Sequence, residues 1–157
     1  MGLVNFQIFT HNYDDIKCYN FNFKTYMSFQ TNIIKATEEN HYFRQVLFTG
    51  NKSQLVVMEI PVDGEVGEET HHHVEQTLFF LFGSGKAILD GVESAIAAGD
   101  VVVVTPGTRH NFINTGETPL KIYTVYAPAN HLEGRVHKTK ADADADQEDE
   151  DFGEATR

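Results

Sequence analysis

Residues 74–128, VEQTLFFLFGSGKAILDGVESAIAAGDVVVVTPGTRHNFINTGETPLKIYTVYAP, form a succession of short apolar runs cut by turn residues. VEQTLFFLF, KAILD, SAIAA, VVVV, HNFIN and LKIYTVYAP carry the apolar side chains, many of them β-branched or aromatic. GSG, GVE, GD, TPGTR and TGETP separate them, the pattern of strands joined by tight turns. The same rhythm begins upstream at Tyr42, where YFRQVLF, GNKS, QLVVMEI and PVDGEVGEE follow one another. Only the stretch around Thr37, Glu38 and Glu39 reads as a short helix, so the expected fold class is all-β, a sandwich or barrel.

The chain's 157 residues, 41% of them hydrophobic, are enough for one core and too few for two ordinary domains. Twelve Lys and Arg stand against 23 Asp and Glu, a formal charge of −11, which argues against a phosphate-backbone binder. The lone Cys18 has no intramolecular disulfide partner, and any metal must be held by nitrogen and oxygen ligands. No apolar run is long enough to span a bilayer, and the start MGLVNFQIFTHNYDD lacks the pattern of a secretion signal. The expectation is a cytoplasmic protein that binds neither nucleic acid nor membrane.

Of the −11 charge, −7 falls in residues 141–157, ADADADQEDEDFGEATR, whose only large apolar residue is Phe152. Such a segment buries too little apolar surface to offset about 1–2 kcal/mol per residue of ordering entropy, and it is expected to be disordered. Residues 1–30 form an N-terminal extension rich in Asn, Phe and Tyr with no sustained period. Two readings of its start remain open: translation that naturally begins at Met27, or an arm packing on a partner subunit. Residues 31–140 make up the expected barrel.

Two segments carry chemistry: GEETHHHVEQTLFFLFGSG (residues 67–85) and GDVVVVTPGTRHNFINTG (residues 99–116). Together they resemble the two signature motifs of the cupin superfamily, in the right order. The second fits closely, with Gly99, Gly107, His110 and Asn114 in register and Thr105 where the family has Pro. In the first, the family pattern His-x-His-x4-Glu appears as Glu69-x-His71-x4-Gln76, counted back from Gly83. The resemblance is to a subgroup of small single-domain cupins with a GEE-x-H...(D/E)-Q run, and it covers about residues 31–143. It implies a double-stranded β-helix, a jelly-roll-like barrel, holding one divalent metal ion (Mn, Fe, Ni, Co or Zn) through Glu69, His71, Gln76 and His110.

Strand geometry is compatible with that set. Residues two apart share a face, so Glu69 and His71, and His73 if the strand runs that far, project together while Thr70 and His72 point away. Gln76 has the opposite parity, and a bulge or turn within His72–Glu75 is needed to return it to the interior. His110 and Asn114 share a face on the second segment, His110 entering the barrel and Asn114 closing the turn. Four ligands would then come from two neighbouring strands. Glu69 in place of His and Gln76 in place of Glu keep one anionic ligand. Gln76 reads equally as an interior hydrogen-bonding amide, because neutral amides bind divalent ions weakly.

Arg44, Arg109 and Tyr123 are the candidate substrate contacts, although Arg109 is equally placed to pair with Glu117, and Tyr123 belongs first to the core. The resemblance implies an enzyme acting on a small oxygenated molecule by oxygenase, isomerase or decarboxylase chemistry. The alternative is a non-catalytic small-molecule or sugar-binding module with a structural metal. The apolar runs FFLF and VVVV, and the way small cupins resemble one another in pairing, imply a homodimer.

Overall fold

The computed structural model describes residues 28–155. Cys18, Met27 and nearly all of the N-terminal extension lie outside the described residues. The elements run α1 (Ile33–Glu39), β1 (Arg44–Thr49), β2 (Gln54–Ile60), β3 (Glu69–Thr70), β4 (Glu75–Phe82), β5 (Ser84–Leu89), β6 (Val92–Ala97), β7 (Val101–Val104), β8 (Arg109–Asn114), β9 (Leu120–Ala127), β10 (Val136–His137), α2 (Lys140–Asp144) and α3 (Gln147–Ala155). The short helix read around Thr37 is α1, whose N-cap Asn32 accepts a hydrogen bond from the Lys35 amide.

The strands form two antiparallel sheets, one in the order β10-β1-β2-β9-β4-β7 and the other β3-β8-β5-β6. Alternation decides which side chains enter the space between them. Along β4, Gln76, Leu78 and Phe80 are buried while Thr77, Phe79 and Leu81 are only half-buried; along β9, Leu120, Ile122, Thr124 and Tyr126 are buried. The core joins Val56, Met58, Leu78, Phe80, Phe112, Ile122 and Tyr126 with their neighbours in one cluster. This is the two-sheet architecture that the cupin resemblance implies.

Turn chemistry sets the register around the motifs. Gly99 and Gly107 take φ of +97° and +84°, conformations in which a side chain is strained. Asn114 is buried; its amide donates to the carbonyls of Ile60 and Thr118, and its Oδ1 accepts from the Gly116 amide. It closes the β8–β9 turn, as its place in the second motif implies.

The acidic C-terminal segment overturns an expectation. Its described residues form two short helices joined at Ala145 and Asp146, not a disordered tail: Thr139 and Asp142 form a capping box at the start of α2, and Glu148, Asp149 and Glu150 occupy the first turn of α3, where the helix dipole favours anions. Apolar burial alone misjudges this segment because polar contacts hold it. Asp149 is buried and accepts from the Leu132 amide at 2.7 Å and from His131 Nδ1 at 2.8 Å. Asp146 pairs with His137 at 2.9 Å and with Arg135 at 3.2 Å, and Ala143 packs against the core. No helix among the described residues is long and apolar enough to cross a membrane.

Candidate metal centre

Three residues of the expected set converge at one end of the sandwich. Glu69 lies opposite His110 in the β3–β8 pairing, and His71 follows β3 directly, its carbonyl accepting from the Gly107 amide at 2.7 Å. One ligand-type atom from each of Glu69, His71 and His110 lies within 4.8 Å of the others, and this cluster can hold a metal ion. Glu69 Oε2 stands 3.5 Å from His71 Nε2 and 3.9 Å from His110 Nε2.

Gln76 reaches the interior by a change of sheet. Bends at His72 and His73 carry the chain from β3 in the four-stranded sheet to β4 in the six-stranded one, so Gln76 is buried facing inward. The sequence expectation of two neighbouring strands is corrected: β3 and β8 are neighbours, whereas β4 belongs to the opposite sheet. Gln76 pairs in register with Tyr126, whose ring lies 6.0 Å from that of His71. His72 and His73 are exposed.

Three polar atoms of this interior lack a hydrogen-bond partner among the described residues. His71 Nε2, His110 Nε2 and Gln76 Oε1 are all buried without a hydrogen-bond partner, on residues 94%, 99% and 98% buried. Buried polar groups are nearly always paired, and leaving one unpaired costs about 1–3 kcal/mol. Glu69, His71 and His110 offer the mixed nitrogen and oxygen donors that suit a divalent cation, and the Gln76 amide is buried on the inward face of β4. His110 Nδ1 lies 2.9 Å from the Thr108 carbonyl, which can only accept, so this nitrogen carries the proton and Nε2 presents its lone pair.

The electrostatics point the same way. Burial works to raise the Glu69 pKa, but His71 beside it and the charge of Arg44 prevail and hold it near 2. Burial lowers His110 from its ordinary value, with the Thr108 carbonyl opposing. Both groups therefore favour their ligating forms at neutral pH.

The other candidates separate. Arg44 is buried and lines a cavity of about 320 Å³ beside Glu69 and His71, with its Nη2 3.4 Å from Glu69 Oε1. Arg109 does not reach this cavity: its parity is opposite to that of His110, its side chain is exposed, and its partner is Glu68 at 3.8 Å, not Glu117. Tyr123 also departs from expectation. It lies on the outer face of the six-stranded sheet, stacked on Phe79 at 4.7 Å between ring centroids, while Tyr126 is the β9 aromatic that faces His71.

Two of the cavity residues outside the motifs form a pair that the sequence analysis does not single out. His131, in the loop after β9, and Asp149 of α3 form a hydrogen-bonded pair that also meets Arg44. Burial first, then the Arg44 charge, lowers the His131 pKa to about 4 against the opposing pull of Asp149. An unfolded chain protonates this residue near 6.5 while the folded one resists down to about 4, so stability falls as pH drops through that window. Glu69 adds a second loss, from about 4.5 down to about 2. Urea midpoints measured in chelator should decline from pH 6.5 to 4 for the wild type, and His131→Gln should flatten that part of the slope. An equal slope in both proteins would contradict the assignment to His131.

Comparison with known proteins agrees with the architecture. Residues 56–126 match the Cupin domain family. The chain is 41% identical over 123 residues to uncharacterized protein YrkC of Bacillus subtilis, a match covering 73% of this chain and 65% of YrkC. It is 33% identical over 76 residues to an oxalate-binding protein of Thermotoga maritima, covering 48% of this chain and 63% of that protein. The crystal structure of BH2720 from Bacillus halodurans superposes with a TM-score of 0.75 at 35% identity, over 78% of this chain and 97% of that one. Two facing antiparallel sheets, paired motifs on β3–β4 and β7–β8, and these likenesses together make the chain a member of the cupin superfamily.

Proposed function

We propose that the protein binds one divalent metal ion through Glu69, His71, His110 and the amide oxygen of Gln76, and presents it to a small oxygenated ligand in the adjoining cavity. The observation that carries this reading is the set of three unpartnered buried atoms, His71 Nε2, His110 Nε2 and Gln76 Oε1, in the interior that also receives the Glu69 carboxylate. Two imidazoles, a carboxylate and an amide suit Mn, Fe, Co, Ni or Zn and leave positions for exchangeable ligands. A bound ion would supply Lewis acidity or, if iron or manganese, redox chemistry. The chain's own contribution is to fix the ligating tautomer of His110 through Thr108, to keep Glu69 ionised, and to line the approach with Arg44.

Whether turnover follows is a second question. The oxalate-binding name of the Thermotoga relative favours a binding module, and the open cavity beside the cluster serves binding and catalysis equally. Loading the protein with Co(II) and titrating oxalate tests the presence of open positions. A change in the intensity and energy of the visible bands is the expected result; a spectrum indifferent to oxalate and other small carboxylates would indicate a closed, structural site.

The reading includes a homodimer. Phe79 and Tyr123 stack on the outer face of the six-stranded sheet, and Val101 and Val103 on its edge strand β7 are 54% and 51% exposed. Static light scattering at micromolar concentration should give twice 17.7 kDa, and Val101→Glu/Val103→Glu should lower it toward the single-chain value. A single-chain mass for the wild type would contradict pairing.

A further inference from the structure

The acidic C-terminal segment does more than pack. Helices α2 and α3 bring Lys140, Asp149 and Gly153 to the wall of the cavity that Arg44, Glu69 and His71 line from the barrel side. Gly153 sits so close to the Asn130 backbone that a Cβ there would stand 3.0 Å from its carbonyl oxygen, which presses α3 against the loop carrying His131. The match to the Cupin domain ends at residue 126 and begins at residue 56, so both Arg44 and Asp149 lie outside it.

Arg44 stands between two carboxylates. Its Nη2 is 3.4 Å from Glu69 Oε1, and its Nη1 is 3.8 Å from Asp149 Oδ2 and 3.4 Å from His131 Nδ1. Glu69 is divided in turn: Oε1 faces Arg44, whereas Oε2 faces the two imidazoles. A buried guanidinium is always charged, and one aimed at Glu69 alone would compete with any metal for that carboxylate. Asp149 supplies the second anion.

We propose that Asp149 is a positioning residue for the Glu69–His71–His110 centre: it draws the Arg44 guanidinium into a shared pairing and so leaves the Glu69 carboxylate able to ligate a metal ion. This inference rests on the metal-binding reading above. It assigns to the C-terminal helix a share in the chemistry of the site, acting through Arg44. The hydrogen bond from the Leu132 amide to Asp149 gives the same residue a structural role, so the test must separate the two.

Titration calorimetry with Co(II) chloride on the full chain does so, using wild type, Asp149→Asn, Arg44→Gln and the double variant. Asparagine keeps an oxygen for the Leu132 amide and removes the charge. Outer-shell partners of a ligand are typically worth about 10–100-fold in metal affinity, and a loss in that range is expected for Asp149→Asn. In the Arg44→Gln background the same substitution should change affinity by less than about threefold, because there is no guanidinium left to partition. Additive losses, or a lowered Tm with unchanged Co(II) affinity, would reduce Asp149 to a structural contact and overturn the proposal. Should Asp149→Asn fail to fold, Asp149→Glu displaces the charge by one methylene: a loss abolished by Arg44→Gln supports the proposal, and wild-type affinity refutes it. A wild type that takes no Co(II) would sink the metal reading and this inference together; a wild type that binds and an Asp149→Asn that binds equally would sink only the inference.

Discussion

Alanine at His71 or at His110 is expected to abolish stoichiometric metal binding, with the largest effects of any substitution in the protein. Each change removes an imidazole whose Nε2 faces the Glu69 carboxylate and has no hydrogen-bond partner among the described residues, and water entering the space cannot match it as a ligand. The loss in affinity should exceed the roughly 10–100-fold typical of outer-shell partners. Glu69→Ala should come close, since it removes the anion of the cluster, and it leaves Arg44 paired with Asp149 alone of its two carboxylates. Gln76→Ala should cost less, because water replaces an amide oxygen more readily. Gln76→Glu should tighten binding by adding a second carboxylate. His72→Ala is the internal control: its side chain is exposed and should contribute little. Metal content after dialysis and calorimetric affinity measure the series. Loss of metal in His72→Ala with retention in His71→Ala would place the register one residue away and remove Glu69 and Gln76 with it.

Cutting the chain after Lys140 should destabilise it heavily, contrary to the disordered tail that composition implies. The cut removes Asp149, leaving Arg44 with only the carboxylate of Glu69, His131 without its 2.8 Å partner and the Leu132 amide without its acceptor. Removing one member of a buried charge pair typically costs about 3–5 kcal/mol. At about 2–4 °C per kcal/mol for a chain of this size, Tm should drop on the order of 10 °C. Differential scanning calorimetry of full-length and truncated protein, both in chelator, reads this directly. An unchanged Tm would show that the helices α2 and α3 add no net stability.

The contrast between these two predictions reflects what a sequence can carry. The strands from β4 to β9 were legible because alternation and turn residues are local signals, and the glycines of the second motif stand at positions that demand a positive φ. His71 and His110 were legible through spacing. The change of sheet between His71 and Gln76 was foreseen as a bulge or turn, but the assignment of β3 and β4 to opposite sheets depends on long-range pairing that no local pattern encodes. Tyr123 was misplaced because LKIYTVYAP is apolar on both faces, so parity could not choose between it and Tyr126.

The tail was misread for a different reason. The composition argument counts apolar area, whereas residues 140–155 are ordered by Asp149, Asp146 and Glu148 meeting His131, His137, Arg135 and Arg44. The usable signal was the basic run HLEGRVHK at residues 131–138 immediately before an acidic one, a charge complementarity within a few turns of chain. The sequence offers Arg44 only as a candidate substrate contact, and its burial between two carboxylates emerges only with the fold.

Metal analysis of the native protein, expressed without a His tag and purified without chelator, bears most directly on the central claim. Inductively coupled plasma mass spectrometry should find about one divalent transition ion per chain, and the apo protein should take up one equivalent of Co(II) or Zn(II) again. A chain that carries no metal and binds none of Mn(II), Fe(II), Co(II), Ni(II) or Zn(II) would contradict the account, leaving His71, Gln76 and His110 as an unexplained set of buried, unpaired polar groups.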